Sequence, residues 1–110
     1  MKTEIKGHTI ILKDTTEDFK SFVAKITTEY HQFKDKNIIL DGLQLKNFDL
    51  KEVSLLKDVL KIHQKNKKSL VLVVQGINFN KVPNYITIVP TILEAHDLIE
   101  LDEIERDLFN

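Results

Sequence analysis

Histidine and cysteine are the side chains that most often hold catalytic metals, and this chain offers few of them. It has no cysteine, and its four histidines, His8, His31, His63 and His96, lie more than twenty residues apart. No pair has the HxH or HxxxH spacing that brings two rings to one ion. His63 and His96 fall on or beside apolar faces of predicted helices, where a packed histidine is the commoner role. We therefore predict no metal site and no cofactor.

Motifs for nucleophilic catalysis and phosphate binding are also missing. There is no G-x-S-x-G sequence, and the serines lie in ordinary helix or strand-start contexts: Ser21, Ser54 and Ser69. Three scattered glycines cannot form the glycine-rich loop of a nucleotide-binding motif. Paired acids such as those at 102–103 are typical of an exposed tail. We predict that the protein is not an enzyme.

Lysines are concentrated in one stretch, at Lys57, Lys61, Lys65, Lys67 and Lys68. The first three are four residues apart and share one face of a predicted helix, where they could contact phosphates. The whole chain has one arginine and no tryptophan, and no aromatic residue lies between these lysines to stack on bases. We favour a solvated helix face over a nucleic-acid site.

Charge is unevenly distributed along the chain. Residues 1–89 carry a net charge of +5, and residues 90–110 carry −6. We interpret the acidic end as the solvated face of a terminal helix whose acids balance lysines elsewhere, in preference to an anionic partner for the basic part and a basic partner for the acidic end. We predict that the apolar residues of this helix, Leu101, Ile104 and Leu108, pack on the body. The alternative is that they offer a short helix to a partner.

The length of 110 residues, with 42% hydrophobic and 30% charged residues, predicts one globular domain spanning 1–110. The longest apolar run is Leu70–Val74, far below the roughly 20 residues of a membrane span. No apolar stretch follows the first lysines, so no signal peptide is predicted. We expect a cytoplasmic protein that does not contact membranes.

Apolar periodicity defines the elements that must position any site. Residues 3–13 predict two short strands or one bent strand, and 14–18 begin an amphipathic helix whose stripe extends to Phe33. Strands are predicted at 37–43, 69–75 and 85–89, and helices begin at Asp49 and Pro90. Asp49 with Glu52, and Thr91 with Glu94, are capping pairs. The sequence thus predicts an α/β fold with a mostly parallel or mixed sheet of four to five strands, flanked by amphipathic helices.

Three stretches resemble the STAS domain family, whose best-known members are bacterial anti-anti-sigma factors. Residues 37–41 with 47–56 resemble the family's central strand and the turn into its second helix. Residues 67–76 resemble the next strand, and 88–95 the closing strand and helix start. The likeness covers about residues 8–101 and leaves 102–110 as an acidic helical extension. It implies a regulatory adaptor that binds a protein partner, as a monomer or weak homodimer.

The family's switch motif, Asp-Ser/Thr-Ser-Gly, corresponds here to Asp49, Leu50, Lys51 and Glu52. Only Asp49 agrees, and Leu50 occupies the position of the phosphorylated hydroxyl. The resemblance therefore implies docking through these four residues without a phosphorylation switch. Leu50 is either an exposed anchor for the partner or packs against the preceding loop near Phe48.

Two other functions remain as alternatives. Some STAS-like domains bind nucleotides or other small ligands, although Asp49 and Glu52 would repel an anion at the start of the second helix. Short STAS-like chains are also described as ribonuclease Z. That activity requires clustered metal ligands, which this sequence does not show.

Overall fold

The sheet forms where β-branched and aliphatic residues run together. The computed structural model describes residues 1–109, and its five strands are β1 (Lys2–Lys6), β2 (Thr9–Lys13), β3 (Asn37–Asp41), β4 (Leu70–Val73) and β5 (Thr87–Val89). They lie in the order β1-β2-β3-β4-β5, with β1 antiparallel to β2 and every other pair parallel. The predicted α/β class with a mostly parallel, mixed sheet is confirmed.

Three α-helices cover this sheet: α1 (Phe19–Glu29), α2 (Lys57–Lys65) and α3 (Ile92–Phe109). Short 3-10 helices lie at Tyr30–Gln32, Leu50–Leu56 and Phe79–Lys81. Within residues 1–109, none of the helices has the length and hydropathy that a bilayer-crossing segment requires.

The second predicted helix differs from expectation because it begins as the 3-10 helix Leu50–Leu56 and becomes α-helical only at Lys57. Its buried residues in that stretch, Val53 and Leu56, are three positions apart. This spacing matches the three residues per turn of a 3-10 helix. The strands predicted at 37–43, 69–75 and 85–89 are shorter in the structure, and β5 begins at Thr87 rather than Tyr85.

Alternate strand residues face two separate cores. Ile38 and Leu40 of β3 belong to the larger core, under α1, the 3-10 helix Leu50–Leu56 and α2. Ile39, between them, belongs to a smaller core with Ala95 and Ile99 of α3. Because each central strand is covered on both faces, its apolar residues are contiguous in the sequence. The helix α3 is therefore alone on its side of the sheet among the helices that residues 1–109 form.

Candidate docking surfaces and a charged pocket

The loop between β3 and the predicted docking residues 49–52 begins at Gly42. The Gly42 amide donates to the Val73 carbonyl at 2.9 Å. A Cβ atom at this position would lie 2.7 Å from Leu45 Cδ1 and 2.9 Å from Val74 Cγ1. A larger residue at this position would force the Leu45 and Val74 side chains to shift, so glycine suits this close approach of the chain to β4.

Asp49 and Glu52 form the predicted capping box. The Asp49 carboxylate accepts from the Lys51 amide at 2.9 Å, and the Asp49 amide donates to Glu52 Oε1 at 2.9 Å. The two acids therefore satisfy backbone groups at the start of the 3-10 helix Leu50–Leu56, as the sequence predicted. Both carboxylates therefore stabilise the start of this helix.

Leu50 and Lys51 complete the four predicted site residues. Leu50 is half-buried and packs with Phe48 against the larger core, and Phe48 makes an edge-to-face contact with Phe19 at 4.9 Å. Lys51 is exposed. The structure thus brings the four residues together on one short helix, with Leu50 partly used in packing.

The predicted packing of the chain's last apolar residues is wrong. Leu101, Ile104 and Leu108 continue α3, but they are 55%, 50% and 73% exposed, and Leu93 is 71% exposed. At 100° per residue, these four side chains fall within an arc of about 80°, opposite the buried pair Ala95 and Ile99. The helix is apolar on two opposite faces, and the body covers only one of them. We call the exposed four the outer α3 face.

Acidic residues border the outer α3 face along its length. Asp97 lies within the arc of the four apolar side chains by helical spacing. Two acids lie on each flank: Glu94 and Glu105 on one, Glu100 and Asp107 on the other. No lysine or arginine of α3 shares this side of the helix. The surface therefore combines exposed apolar area with a negative border.

The inner side of the last α3 turns contacts the body through polar groups. The Ser69 hydroxyl, just before β4, donates to Asp102 Oδ2 at 2.8 Å and accepts from the Arg106 guanidinium. Ser69 is buried, and its amide donates to Asn37 Oδ1 at 2.9 Å. The serine hydroxyl thus holds the chain's single arginine at the amino-terminal edge of the sheet.

A pocket of about 220 Å³ opens at this edge, between the end of α2 and the last turns of α3. Its polar lining includes His63, Lys67, Lys68, Ser69, Asp102 and Arg106. We call it the amino-edge pocket. Among residues 1–109, no acid lies within ion-pair distance of any of its three cationic side chains.

A second, more open pocket of about 390 Å³ adjoins the first, because both are lined by Leu60, Gln64 and Tyr85. Lys57 and Lys61 of α2 also line it, and Lys57 Nζ lies 5.0 Å from the centre of the Tyr85 ring. The lysine face that the sequence predicted therefore borders a groove instead of facing only solvent.

His63 lies at the inner wall of the amino-edge pocket and is fully buried. Its Nδ1 is 2.6 Å from the Tyr30 hydroxyl, whereas Nε2 has no hydrogen-bond partner in the described part of the chain. Burial lowers the pKa of His63 to about 4. The backbone groups of Lys36 and Ser69 act in the opposite direction and raise this pKa, but their effect is smaller. The ring is therefore neutral at physiological pH.

The amino-edge pocket was not predicted from the sequence. Ser69 was assigned to a strand start and Arg106 to the acidic tail, and 37 positions separate them. The lysine cluster at 57–68 was the one available signal. Across residues 1–109, groups of three or more histidine or acidic side chains placed to hold a metal ion are not found.

Comparison with known proteins gives no further assignment. No protein-family model matches the chain, and a search of curated proteins finds no similar sequence. The STAS resemblance stays a prediction.

Proposed function

We propose that the protein is a non-catalytic adaptor of the STAS type that binds another protein. The outer α3 face carries this proposal. Fully burying one leucine or isoleucine contributes roughly 1.5–3 kcal/mol. Leu101, Ile104 and Leu108 form a continuous apolar row along about 10 Å of the helix, and Asp97 separates them from Leu93. Large apolar side chains in a row on the surface are typical of an interaction site.

The acidic border of the outer α3 face defines the chemistry of the partner. Charges around an interface select partners of opposite sign and increase the association rate. We therefore expect an amphipathic helix with an apolar stripe and lysine or arginine on its flanks. An anionic membrane surface does not fit, because the acids at positions 94, 97, 100 and 105 would repel it.

The start of the second helix supplies a second proposed contact, on the strength of the resemblance. Lys51 is exposed beside the half-buried Leu50, and the capping box made by Asp49 and Glu52 holds this segment in place. These residues lie on the opposite side of the sheet from α3. A partner that uses both surfaces must reach around the molecule, or two partners bind separately.

The test uses two synthetic helical peptides with the same leucine stripe, one with lysine flanks and one with glutamate flanks. Binding to the purified chain is measured by fluorescence anisotropy. We expect the lysine-flanked peptide to bind and the double variant Leu101→Gln/Ile104→Gln to bind it at least tenfold more weakly. This variant keeps every charge, so it isolates the apolar contribution.

Ile5→Gln is the matched control, because Ile5 is 61% exposed on β1. We expect it to bind like the parent chain. Equal binding by the parent and the double variant, or preference for the glutamate-flanked peptide, rules out the outer α3 face as the docking surface. Lys51→Glu in the same assay tests the second contact.

A small-ligand function is the second candidate. The observation that favours it is the amino-edge pocket with its adjoining groove. This location avoids the two carboxylates that oppose an anion at the start of the second helix.

A further inference from the structure

We propose that the amino-edge pocket binds the phosphoryl group of a small phosphate monoester, whose apolar or aromatic body lies along the adjoining groove. This site is separate from both proposed docking surfaces. The charges in the pocket, the contacts that hold them and the shape of the groove support this site.

The charge balance of the pocket favours an anion. Lys67, Lys68 and Arg106 contribute three positive charges against the single carboxylate of Asp102, and His63 is neutral. The net formal charge of the lining is therefore +2, which matches a phosphate dianion. Arginine in particular presents a planar set of donors that suits phosphate oxygens.

Ser69 holds the arginine before any ligand arrives. Its hydroxyl donates to Asp102 and accepts from Arg106, so the guanidinium is anchored by a neutral oxygen and not by an ion pair. The remaining guanidinium N–H groups keep their capacity to donate to an anion. A positioned cation loses less conformational freedom on binding than a free one.

Lys67 also lines the pocket, and it lies just after the end of α2. Its φ angle is +58°, and the Lys67 and Lys68 amides donate to the carbonyls of Gln64 and His63. Glycine is the usual residue at such a helix end, because its lack of a Cβ removes the strain. A lysine in this conformation places its charge beside the pocket at a cost in stability.

The groove beside the pocket defines the rest of the ligand. Leu60 and the Tyr85 ring line both cavities, so an apolar or planar group attached to a phosphate at the arginine end can continue over them. Lys57 and Lys61 keep the far end of the groove cationic. The combined shape fits an ester better than an isolated phosphate ion.

The experiment titrates the intact chain with phenyl phosphate, inorganic phosphate and phenol, and uses calorimetry and amide NMR shifts. We expect phenyl phosphate to bind at least fivefold more tightly than inorganic phosphate and phenol not to bind. The largest amide shifts should fall on Lys68 and Ser69.

Lys67→Gly is the sharpest variant, because glycine suits the backbone at that position while the charge is lost. We expect it to fold at least as stably as the parent and to bind phenyl phosphate at least fivefold more weakly. Asn47→Gly, at a φ angle of +53°, is the backbone control, and Lys81→Gln is the charge control. Both should bind like the parent.

Unchanged affinity in Lys67→Gly and Arg106→Gln, or shifts centred on residues 49–52, would overturn the site. Equal affinity for phenyl phosphate and inorganic phosphate would overturn the role of the groove. The Leu101→Gln/Ile104→Gln variant should bind phenyl phosphate normally, so failure of the pocket is distinguishable from failure of the docking surface.

Discussion

At the scale of single residues, His63 shows how burial changes the chemistry of a side chain. The structure places it fully inside, against Tyr30, with the positive charges of Lys68 and Arg106 nearby. Burial is the main cause that lowers its pKa to about 4, and the two cations act in the same direction. The folded protein therefore resists protonation of this ring more strongly than the unfolded chain does.

The pH dependence of stability follows from this difference. The unfolded chain protonates His63 near its ordinary pKa of about 6.5, whereas the folded chain does so near 4. Between these values the unfolded state binds more protons, so the free energy of unfolding falls as the pH decreases from about 6.5 to 4. Above pH 6.5 the contribution of His63 is fully present.

Urea unfolding across this pH range, on the parent and on His63→Gln, measures the effect. Glutamine does not titrate, so the variant should lose the part of the slope that His63 causes. The NMR titration of the His63 ring should report protonation near pH 4. Equal slopes for the two proteins, or a ring that titrates near 6.5, contradict the prediction.

Local features of single residues, such as capping and burial, could be predicted from the sequence, whereas contacts between residues distant in the sequence could not. The spacing of Asp49 and Glu52 identified the capping box, because such a box needs only local geometry. The apolar helix face identified His63 as a buried residue. The contact of Ser69 with Arg106 could not be predicted, because it depends on how α3 crosses the sheet.

At the scale of elements, the start of the second helix depends on one carboxylate. Asp49→Ala removes the acceptor for the Lys51 amide, and we expect a loss of about 1 kcal/mol in the free energy of unfolding. Asp49→Asn keeps an acceptor at the same position and should lose much less. Urea denaturation of the two variants measures the difference.

The variants Asp49→Ala and Asp49→Asn also distinguish a capping role of Asp49 from a role in partner binding. If Asp49 only caps the helix, Asp49→Asn should bind a partner like the parent chain. Weaker binding by a stably folded Asp49→Asn would assign the carboxylate a direct role in docking. Equal destabilisation by the two substitutions contradicts the capping role itself.

The helix α3 explains why sequence periodicity failed at the end of the chain. Its apolar residues lie on two opposite faces, so no single amphipathic stripe identifies the buried one. Ala95 and Ile99 are buried, whereas Leu93 and Leu101 are exposed. The small side chain of Ala95 allows the helix to approach the sheet closely on the buried face.

At the scale of the whole molecule, the uneven charge of the sequence becomes an arrangement of surfaces. Most acids of residues 90–110 border the outer α3 face, and the lysines of α2 lie across the sheet beside the groove. The acidic end does not neutralise the basic helix. Arg106 is the one lysine or arginine in residues 90–110. It lies on the inner side of α3, where it lines the pocket together with Lys67 and Lys68.

The last turns of α3 connect these two surfaces, and truncation after Leu101 tests how they are held. Among residues 92–108, the last buried apolar residue of α3 is Ile99. Beyond it, Asp102 and Arg106 contact Ser69, and Glu103 approaches His8 to 3.4 Å. We expect truncation to lower the free energy of unfolding by about 1–3 kcal/mol, because it removes the two hydrogen bonds that Asp102 and Arg106 make with the Ser69 hydroxyl.

A double-mutant cycle with Ser69→Ala identifies the contact responsible. Ser69→Ala in the full chain removes the same hydrogen bonds, so truncation of a chain that already carries Ser69→Ala should cost markedly less than truncation of the parent. Urea unfolding of the four proteins gives the coupling free energy. Additive losses would mean that the end of α3 is held by something other than Ser69, and the anchoring of Arg106 beside the pocket would then lose its structural basis.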